Sequence, residues 1–440
     1  GDILSNQFVV CEWRVDNSSI LLSKWSLVPL SIATTPHIKY AFPLLLMAGA
    51  LSEGMRYKFS FSCGSFEVSI EVVTNTAPRG GVFDVLPLVG SEMKTLFSLQ
   101  SFNWSDSDFP LSYRFGFISW NGDRELTVAE KSLSSNIFST FPRGDPKLNN
   151  YLNCTFEVYD AFAASSKITS PIQVKSISFT EFSHILSAKL SNANFSSELI
   201  AVASSVLNYV DCSHSPVCSK LNRYPCSVTA STCGYCWDGF VGEIGNHNSP
   251  CLNQSSFRFS YSSKSTFCDE DDNCNGFEYC NNRTHTCSVR SKSCPSNCSG
   301  HGNCTFYNKY TWLPIPACTI LSMDCFARCS CEKTFGDTDC SISLSDQSLK
   351  KTFRHELTAM LLSSLNQMNM SDVTIFDLKS RSDGLASITM NPTQLSSPSF
   401  DLVLNAAETL LIYSLNIDVT YEDITSILFS MNALCQAANS

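Results

Sequence analysis

Apolar and polar residues alternate along the first third of the chain, and this alternation predicts β-strands. Residues 57–63, YKFSFSC, place an apolar residue at every second position, and residues 8–15, FVVCEWRV, also have the composition of a strand. A turn-rich stretch at residues 75–81, NTAPRGG, leads into a second set of strand-like segments. We therefore predict one β-sandwich over residues 1–74 and a second over residues 75–176.

Two features of the first unit are typical of sandwich domains. Cys11 and Cys63 are spaced like a pair that joins two facing sheets, which predicts a cross-sheet disulfide. Leu51, Gly54 and Tyr57 form an L-x-x-G-x-x-Y pattern. A tyrosine at this position commonly closes a corner of a sandwich by bonding its hydroxyl back to the chain.

The hydrophobic period changes to that of a helix after residue 176. Residues 196–210 place apolar residues three or four positions apart, and Ser196 or Ser197 is a suitable N-cap. The same spacing returns in residues 346–367. Both segments are therefore predicted to be helices with one apolar face.

Two more segments near the end of the chain carry signals for the start of a helix. Pro398 is favoured in a first helical turn, and Thr420 with Asp423 forms a variant capping box. These helices and the earlier ones lie on either side of a cysteine-rich stretch. We predict one helical domain, made of residues 177–211 and 343–440, that the cysteine-rich stretch interrupts.

The 22 cysteines define the class of protein, because 18 of them lie between Cys212 and Cys340. This density is typical of disulfide-bonded modules in an oxidising compartment. Nine N-x-Ser/Thr triplets agree with a secreted, glycosylated chain, whereas Asn391 is excluded because Pro392 follows it. The predicted N-glycosylation sites are Asn17, Asn103, Asn153, Asn194, Asn253, Asn282, Asn297, Asn303 and Asn369.

Charge and hydropathy argue against several other classes of protein. The net charge is −10 and no basic run occurs, which argues against nucleic-acid binding. The longest apolar run, residues 40–51, contains Pro43 and is too short to span a bilayer, so no membrane span is predicted in this chain. No leader peptide precedes Gly1, and the chain opens within a strand-like pattern. We therefore expect a piece of a longer protein.

The segment WSDSDFPLSYRF at residues 104–115, after the NTAPRGG linker, resembles the receptor-for-egg-jelly module of polycystin-1-like, sperm and protist surface proteins. The resemblance covers about residues 40–176 and implies immunoglobulin-like or fibronectin-like sandwiches followed by a helical region. Members of this family often carry a cysteine where this chain has residues 99–101, Leu-Gln-Ser. Cys154 therefore lacks its expected partner, and is either free or paired with Cys435 or with a residue outside the chain.

Residues 291–342 resemble an EGF-like module. The features are C-x3-C, then SGHG-x-C, then CSCEKTFGDTDC over residues 329–340. The resemblance implies the disulfides Cys294–Cys304, Cys298–Cys329 and Cys331–Cys340. Cys318 and Cys325 lie in a long insertion that such modules usually lack, and we predict that they pair with each other.

Residues 212–290 hold two smaller cysteine units. The six cysteines up to Cys251 resemble the cysteine-rich repeats found beside EGF-like modules in protist surface proteins, and four more form a compact knot. Their connectivity stays open at this point. Cys233 and Cys236 form a C-x-x-C, but the βαβ context of a redox motif is missing, and the oxidising compartment argues against zinc.

Metal-binding candidates are confined to acidic clusters, since Ca²⁺ prefers carboxylate oxygens. The calcium candidates in the acidic loop are Asp269, Glu270, Asp271 and Asp272. Asp106 and Asp108 are further calcium candidates. The alternative interpretations are a solvated loop at residues 269–272 and a simple turn at residues 106–108. The EGF-like module lacks the acidic lead-in of calcium-binding members, because SVRSKS precedes Cys294. No other metal is predicted, and N-linked glycans are the only attached groups that we expect.

No catalytic motif is present, since His355 lacks a second histidine at the metalloprotease spacing and neither G-x-S-x-G nor a P-loop occurs. The predicted fold is multidomain and mainly β: immunoglobulin- or fibronectin-like β-sandwiches, a disulfide-rich EGF-like insertion and an α-helical domain.

The predicted function is that of a non-enzymatic, extracellular structural or adhesive glycoprotein. Its partners would be other copies of itself, other extracellular proteins or a glycan. Six aromatic residues of the cysteine-rich stretch are a candidate contact surface: Tyr235, Trp237, Phe240, Phe277, Tyr279 and Trp312. The family resemblance suggests a cell-surface filament such as a flagellar hair (mastigoneme). The alternative is a polycystin-1-like receptor ectodomain that binds a glycan or protein, and a secreted enzyme with accessory modules is a third hypothesis.

Overall fold

The chain is mainly β up to Lys175 and mainly helical from Leu344 onward. The computed structural model describes residues 2–4, 8–16, 20–35, 39–120, 122, 124–191, 195–254, 267–274 and 277–437. The mainly β fold with a helical C-terminal part confirms the coarse prediction.

The first part of the chain contains fourteen strands among its described residues. They are β1 (Asp2–Leu4), β2 (Val10–Val15), β3 (Ser31–Ala33), β4 (Lys39–Ala41), β5 (Arg56–Cys63), β6 (Phe66–Val73), β7 (Val82–Leu86), β8 (Val89–Ser91), β9 (Phe97–Phe102), β10 (Ser112–Ile118), β11 (Glu125–Ser132), β12 (Asn136–Ser139), β13 (Tyr151–Tyr159) and β14 (Ser165–Lys175).

Short strands follow in the cysteine-rich stretch: β15 (Phe240–Val241), β16 (Leu252–Asn253), β17 (Glu278–Asn281), β18 (Thr286–Val289), β19 (Gly302–Asn308), β20 (Pro314–Ile315), β21 (Cys325–Cys331), β22 (Phe335–Gly336) and β23 (Ile342–Ser343). The helices are α1 (Leu22–Trp25), α2 (Phe179–Leu190), α3 (Ser197–Leu207), α4 (Leu344–Gln367), α5 (Ile375–Ile388), α6 (Ser397–Ser414) and α7 (Tyr421–Ala437).

The N-terminal unit differs from the expected sandwich. Its described residues form one four-stranded sheet in the order β3-β2-β5-β6, and β1 pairs separately with β4. Apolar side chains from residues 20–51, such as Leu22, cover Tyr57 and Phe59 on one face of the sheet. The amide of Ser52 donates to the Tyr57 hydroxyl at 2.9 Å, as expected for a tyrosine that closes a corner.

The cross-sheet prediction for Cys11 and Cys63 is wrong. The two cysteines are joined by a disulfide, but they lie directly opposite each other on the neighbouring strands β2 and β5 of one sheet. Alternation along a strand specifies which face a side chain occupies, and it does not specify which strands are neighbours.

The second unit consists of two facing sheets. One has the order β11-β10-β13-β14-β8 and the other the order β12-β9-β7. Aromatic rings fill the space between them: the Phe83 and Phe156 ring centroids are 5.1 Å apart, and those of Phe97 and Phe141 are 5.5 Å apart. Cys154 on β13 is fully buried in this core.

The helices before and after the cysteine-rich stretch pack together. α3 lies against α5 and β11, α4 against α6, and α5 against α7. Their buried side chains form one continuous core with the two-sheet unit. Ser196 caps α3 by accepting a hydrogen bond from the Leu199 amide at 3.2 Å. The Asp423 carboxylate accepts from the amide and the hydroxyl of Thr420 before α7, at 2.8 and 2.7 Å.

The cysteine-rich stretch is held by short strand pairs and disulfides. The pairs in its first two units are Cys212–Cys226, Cys218–Cys233, Cys236–Cys251, Cys268–Cys280 and Cys274–Cys287. The third unit contains Cys294–Cys304, Cys298–Cys329, Cys318–Cys325 and Cys331–Cys340. These four are the same pairs that the sequence analysis names.

Candidate functional site

The outer strand β6 exposes a row of large apolar side chains. Phe66, Val68 and Ile70 have 78%, 65% and 59% of their surface exposed. They alternate along the strand and therefore point to one face of the sheet. Contiguous exposed apolar surface on an extracellular protein indicates a site for contact with another molecule. We call these three residues the β6 face.

The β6 face continues a buried apolar layer. Phe66, Val68 and Ile70 lie opposite Cys63, Phe61 and Phe59 of β5, so all six side chains share one side of the sheet. Phe59 is only 5% exposed, because the loops of residues 20–51 cover this part of the sheet. The covering loops do not reach the β6 face, so its side chains stay exposed.

The backbone and the charges around β6 also suit binding. β6 pairs only with β5 in the described sheet, so its other edge is unpaired there, and such an edge can add a strand. Charged residues occupy the opposite face, where Arg56 donates to Glu71 across 2.6 Å. The β6 face itself carries no charged residue, as is typical of the centre of a protein interface.

The predicted glycosylation sites leave the β6 face free. Asn17 and Asn194 lie outside the described residues, and the other seven sequon asparagines are exposed. The exposed sites are Asn103, Asn153, Asn253, Asn282, Asn297, Asn303 and Asn369. None of the nine lies within β6, so bulky N-linked sugars have no attachment point on the strand itself.

The aromatic residues predicted as a contact surface are not all available. Tyr235 and Trp312 are about half exposed, whereas Phe277 is buried with 6% exposed. The Trp237 and Phe240 rings contact each other at 6.0 Å. This part of the prediction is therefore wrong for Phe277.

In the acidic loop, Asp269 and Asp271 contact other groups of the protein. Asp271 accepts a hydrogen bond from the Cys280 amide at 2.9 Å and pairs with Arg290 at 2.6 Å, and these bonds hold the pKa of Asp271 below its usual value. Asp269 lies 3.5 Å from His285. The Asp272 side chain lies outside the described residues, and calcium binding by this loop stays a prediction.

Cys154 and the C-x-x-C motif are the cysteines for which the sequence leaves a role other than a structural disulfide open. Cys154 carries a free, buried thiol, and burial raises the pKa of that thiol well above its usual range. It is not joined to Cys435, which lies exposed on α7. Cys233 and Cys236 belong to different disulfides, so the C-x-x-C is not a redox pair.

A cavity of about 230 Å³, which no sequence pattern predicts, lies between the helices and the cysteine-rich stretch. Lys350, Asp337 and Asp339 are among its lining residues. Asp339 is 2% exposed, and burial raises the pKa of its carboxyl. Burial and the neighbouring Arg354 lower the pKa of Lys350 to about 8.

The lowered pKa predicts that Lys350→Met stabilises the protein at pH 7 by roughly 2–3 kcal/mol. Below pH 8 the folded state must hold a buried ammonium group. Between pH 8 and 10.5 the unfolded chain binds one more proton than the folded chain at this site, so the stability of the wild type rises with pH. Urea unfolding of both proteins at pH 7, 8, 9 and 10 measures the difference. A difference that stays constant with pH would contradict the lowered pKa.

One protein family is similar to the first part of this chain. The family model of the REJ domain (receptor for egg jelly) matches residues 2–206, from β1 to the end of α3. This confirms the resemblance seen in residues 40–176 and extends it in both directions. The match and the many disulfides favour an extracellular location for the chain.

Other comparisons add little. No curated protein matches the chain. One similar solved structure is the crystal structure of the S-layer protein SbsC domains 4 and 5, with 10% identity, 38% of this chain and 70% of that chain covered, and a TM-score of 0.14. At this TM-score the likeness carries no argument. No helix among the described residues combines the length and hydropathy needed to cross a membrane.

Proposed function

We propose that this chain is a non-enzymatic adhesive segment of an extracellular glycoprotein, and that it binds another copy of itself through the β6 face. The observation that carries the proposal is the exposed row of Phe66, Val68 and Ile70 on a strand with an unpaired edge. Burying such a row on association would contribute a few kcal/mol, since each large apolar side chain contributes about 1.5–3 kcal/mol.

Finer assignments of the modules accompany this proposal. The facing sheets of the second unit are proposed to be an immunoglobulin- or fibronectin-like sandwich, and residues 291–342 an EGF-like module. The pairing of Cys294 with Cys304, and of Cys298 with Cys329, supports the second assignment. A disulfide-stabilised, sugar-coated segment of this kind suits repeated assembly in a cell-surface filament.

The self-association is tested with variants of the exposed strand. Val68→Glu and Ile70→Glu are expected to weaken association by tenfold or more, because a carboxylate would lose water at the contact. Both side chains are mainly exposed, so folding should change little. Sedimentation velocity over a range of concentrations of the secreted chain gives the dissociation constants.

Val73→Glu is the matched control for these variants. Val73 is 60% exposed on the same strand, but it points to the opposite face of the sheet, so its substitution should leave association unchanged. Equal association of wild type and both β6-face variants would contradict the proposed contact.

The second candidate is a receptor ectodomain that recognises a glycan or a different protein. The REJ match favours this candidate, because residues 2–206 are the part of the chain that resembles polycystin-like ectodomains. A monomeric wild type that binds a glycan array, with binding unchanged in Val68→Glu, would favour the receptor over the adhesive segment.

A further inference from the structure

Three carboxylates converge at one end of the two-sheet unit. Asp106 and Asp108 lie in the loop between β9 and β10, and Asp160 follows β13. One carboxylate oxygen from each lies within 4.8 Å of the other two. The Ala161 amide donates to the Asp108 carbonyl at 3.1 Å, which holds the two loops together.

One of these oxygens is buried and has no partner. The Asp106 Oδ1 atom accepts from the Asp108 amide at 2.8 Å, whereas the Asp106 Oδ2 atom is buried without a hydrogen bond. Asp160 is 2% exposed, and its Oδ1 atom accepts from the amides of Phe162 and Ala164 at 2.8 and 2.9 Å. A buried, unpaired carboxylate oxygen beside two more carboxylates is costly unless a cation neutralises the group.

The protein supplies no direct counter-ion among its described residues. None of the three carboxylates belongs to an ion pair there. Lys131 feels the negative charge of Asp160, but its ammonium lies over the rings of Tyr159 and Phe376, 4.5 Å from each centroid. The charge of the cluster therefore calls for an external cation.

We propose that Asp106, Asp108 and Asp160 bind a calcium ion. Ca²⁺ takes oxygen ligands at 2.3–2.6 Å, so two of its ligands can be about 5 Å apart, which accommodates the observed spread of the cluster. Mg²⁺ needs ligands at 2.0–2.1 Å in strict octahedral geometry and suits the cluster less well. Carbonyl oxygens and water would complete the coordination.

The site would also hold the linker that joins the two β units. The Asn75 amide donates to the Asp160 Oδ2 atom, and the backbones of Arg79 and Ser105 bond to each other at 3.1 and 3.0 Å. A cation that neutralises the three carboxylates would hold their two loops together, and both loops are bonded to the linker. Bound calcium would therefore stiffen the junction at residues 75–81.

Calcium titration of the full secreted chain tests the proposal. After removal of metal with EDTA, calorimetry with CaCl₂ should show binding with a Kd of roughly 0.1–1 mM, the range of extracellular modules. Calcium should raise the Tm and slow trypsin cleavage after Arg79, which is exposed in the linker. Asp108→Asn should weaken binding at least tenfold and abolish both effects. MgCl₂ in place of CaCl₂ should bind more weakly.

Two further variants provide a control outside the cluster and a second substitution within it. Asp269→Asn removes a carboxylate from the acidic loop and should leave binding at the wild-type level. Asp160→Asn should lose binding. If that variant fails to fold, Asp108→Asn remains the deciding variant, because among the described residues the Asp108 side chain accepts a hydrogen bond only from the hydroxyl of Ser107. Absence of binding to the wild type up to 10 mM calcium, or wild-type binding by Asp108→Asn, would overturn the proposal.

Discussion

Arg354→Leu is expected to destabilise the helical unit by about 3–5 kcal/mol. Arg354 on α4 is fully buried, and burial lowers the pKa of its guanidinium to about 10, so it remains charged at neutral pH. It donates to the Ile388 carbonyl, to Gln394 Oε1 at 3.1 Å and to Asn208 Oδ1 at 2.8 Å. Leucine would leave these acceptors buried without donors.

The three acceptors explain why the effect should be large. Asn208 follows α3, Ile388 ends α5, and Gln394 precedes α6, so one side chain connects segments from both sides of the cysteine-rich stretch. Far-UV circular dichroism during urea unfolding measures the loss. Arg354→Lys, which keeps the charge but has a single donor group, should lose an intermediate amount. The exposed Lys379→Leu on α5 should change stability by less than about 0.5 kcal/mol. A loss below about 1 kcal/mol in Arg354→Leu would contradict this role.

Glu92→Ala is expected to cost about 3–5 kcal/mol, because it removes one partner of a buried ion pair. The Glu92 side chain is 0% exposed and accepts three hydrogen bonds from the Arg143 guanidinium, at 2.9, 3.2 and 2.7 Å. It also accepts from the amides of Arg143 and Ile177, at 3.0 and 3.2 Å. Ile177 lies just before α2, so Glu92 fixes the point where the helices leave the sheets.

A nearby exposed pair provides the control for Glu92. Lys94 pairs with Glu181, but both side chains are more than a third exposed, so Lys94→Ala should change stability by less than about 1 kcal/mol. Thermal unfolding followed by tryptophan fluorescence measures both variants, since Trp104 packs against Phe156 in the same core. Equal small losses in Glu92→Ala and Lys94→Ala would contradict the role of Glu92.

Local signals in the sequence predicted several elements of this fold. Alternation marked β5, three- and four-residue spacing marked α3 and α4, and Ser196 marked a helix start. These signals work because they depend on neighbours within one element. The position of Cys11 beside Cys63 could not be obtained in this way, because strand order depends on contacts 52 residues apart.

The candidate sites also depend on contacts between segments that are far apart in the sequence. The alternation in β6 predicts a half-buried strand, and only the folded sheet shows that its apolar side is open. The sequence offers Asp106 and Asp108 as calcium candidates, but only the fold brings Asp160, at the end of β13, beside them. Arg354 sits in a helical pattern where a charged residue usually faces water, and its burial becomes visible only when α3 and α5 pack around it.

Hydrogen exchange of the full secreted chain at low and high concentration tests the central claim, that the β6 face is the contact surface. In the isolated chain, the amides of β6 that point away from β5 have no strand partner among the described residues and should exchange quickly. We expect peptides covering residues 64–73 to gain protection as the chain associates, and Val68→Glu to remove this gain. Association with unchanged exchange in residues 64–73, or with protection confined to the cysteine-rich stretch, would contradict it.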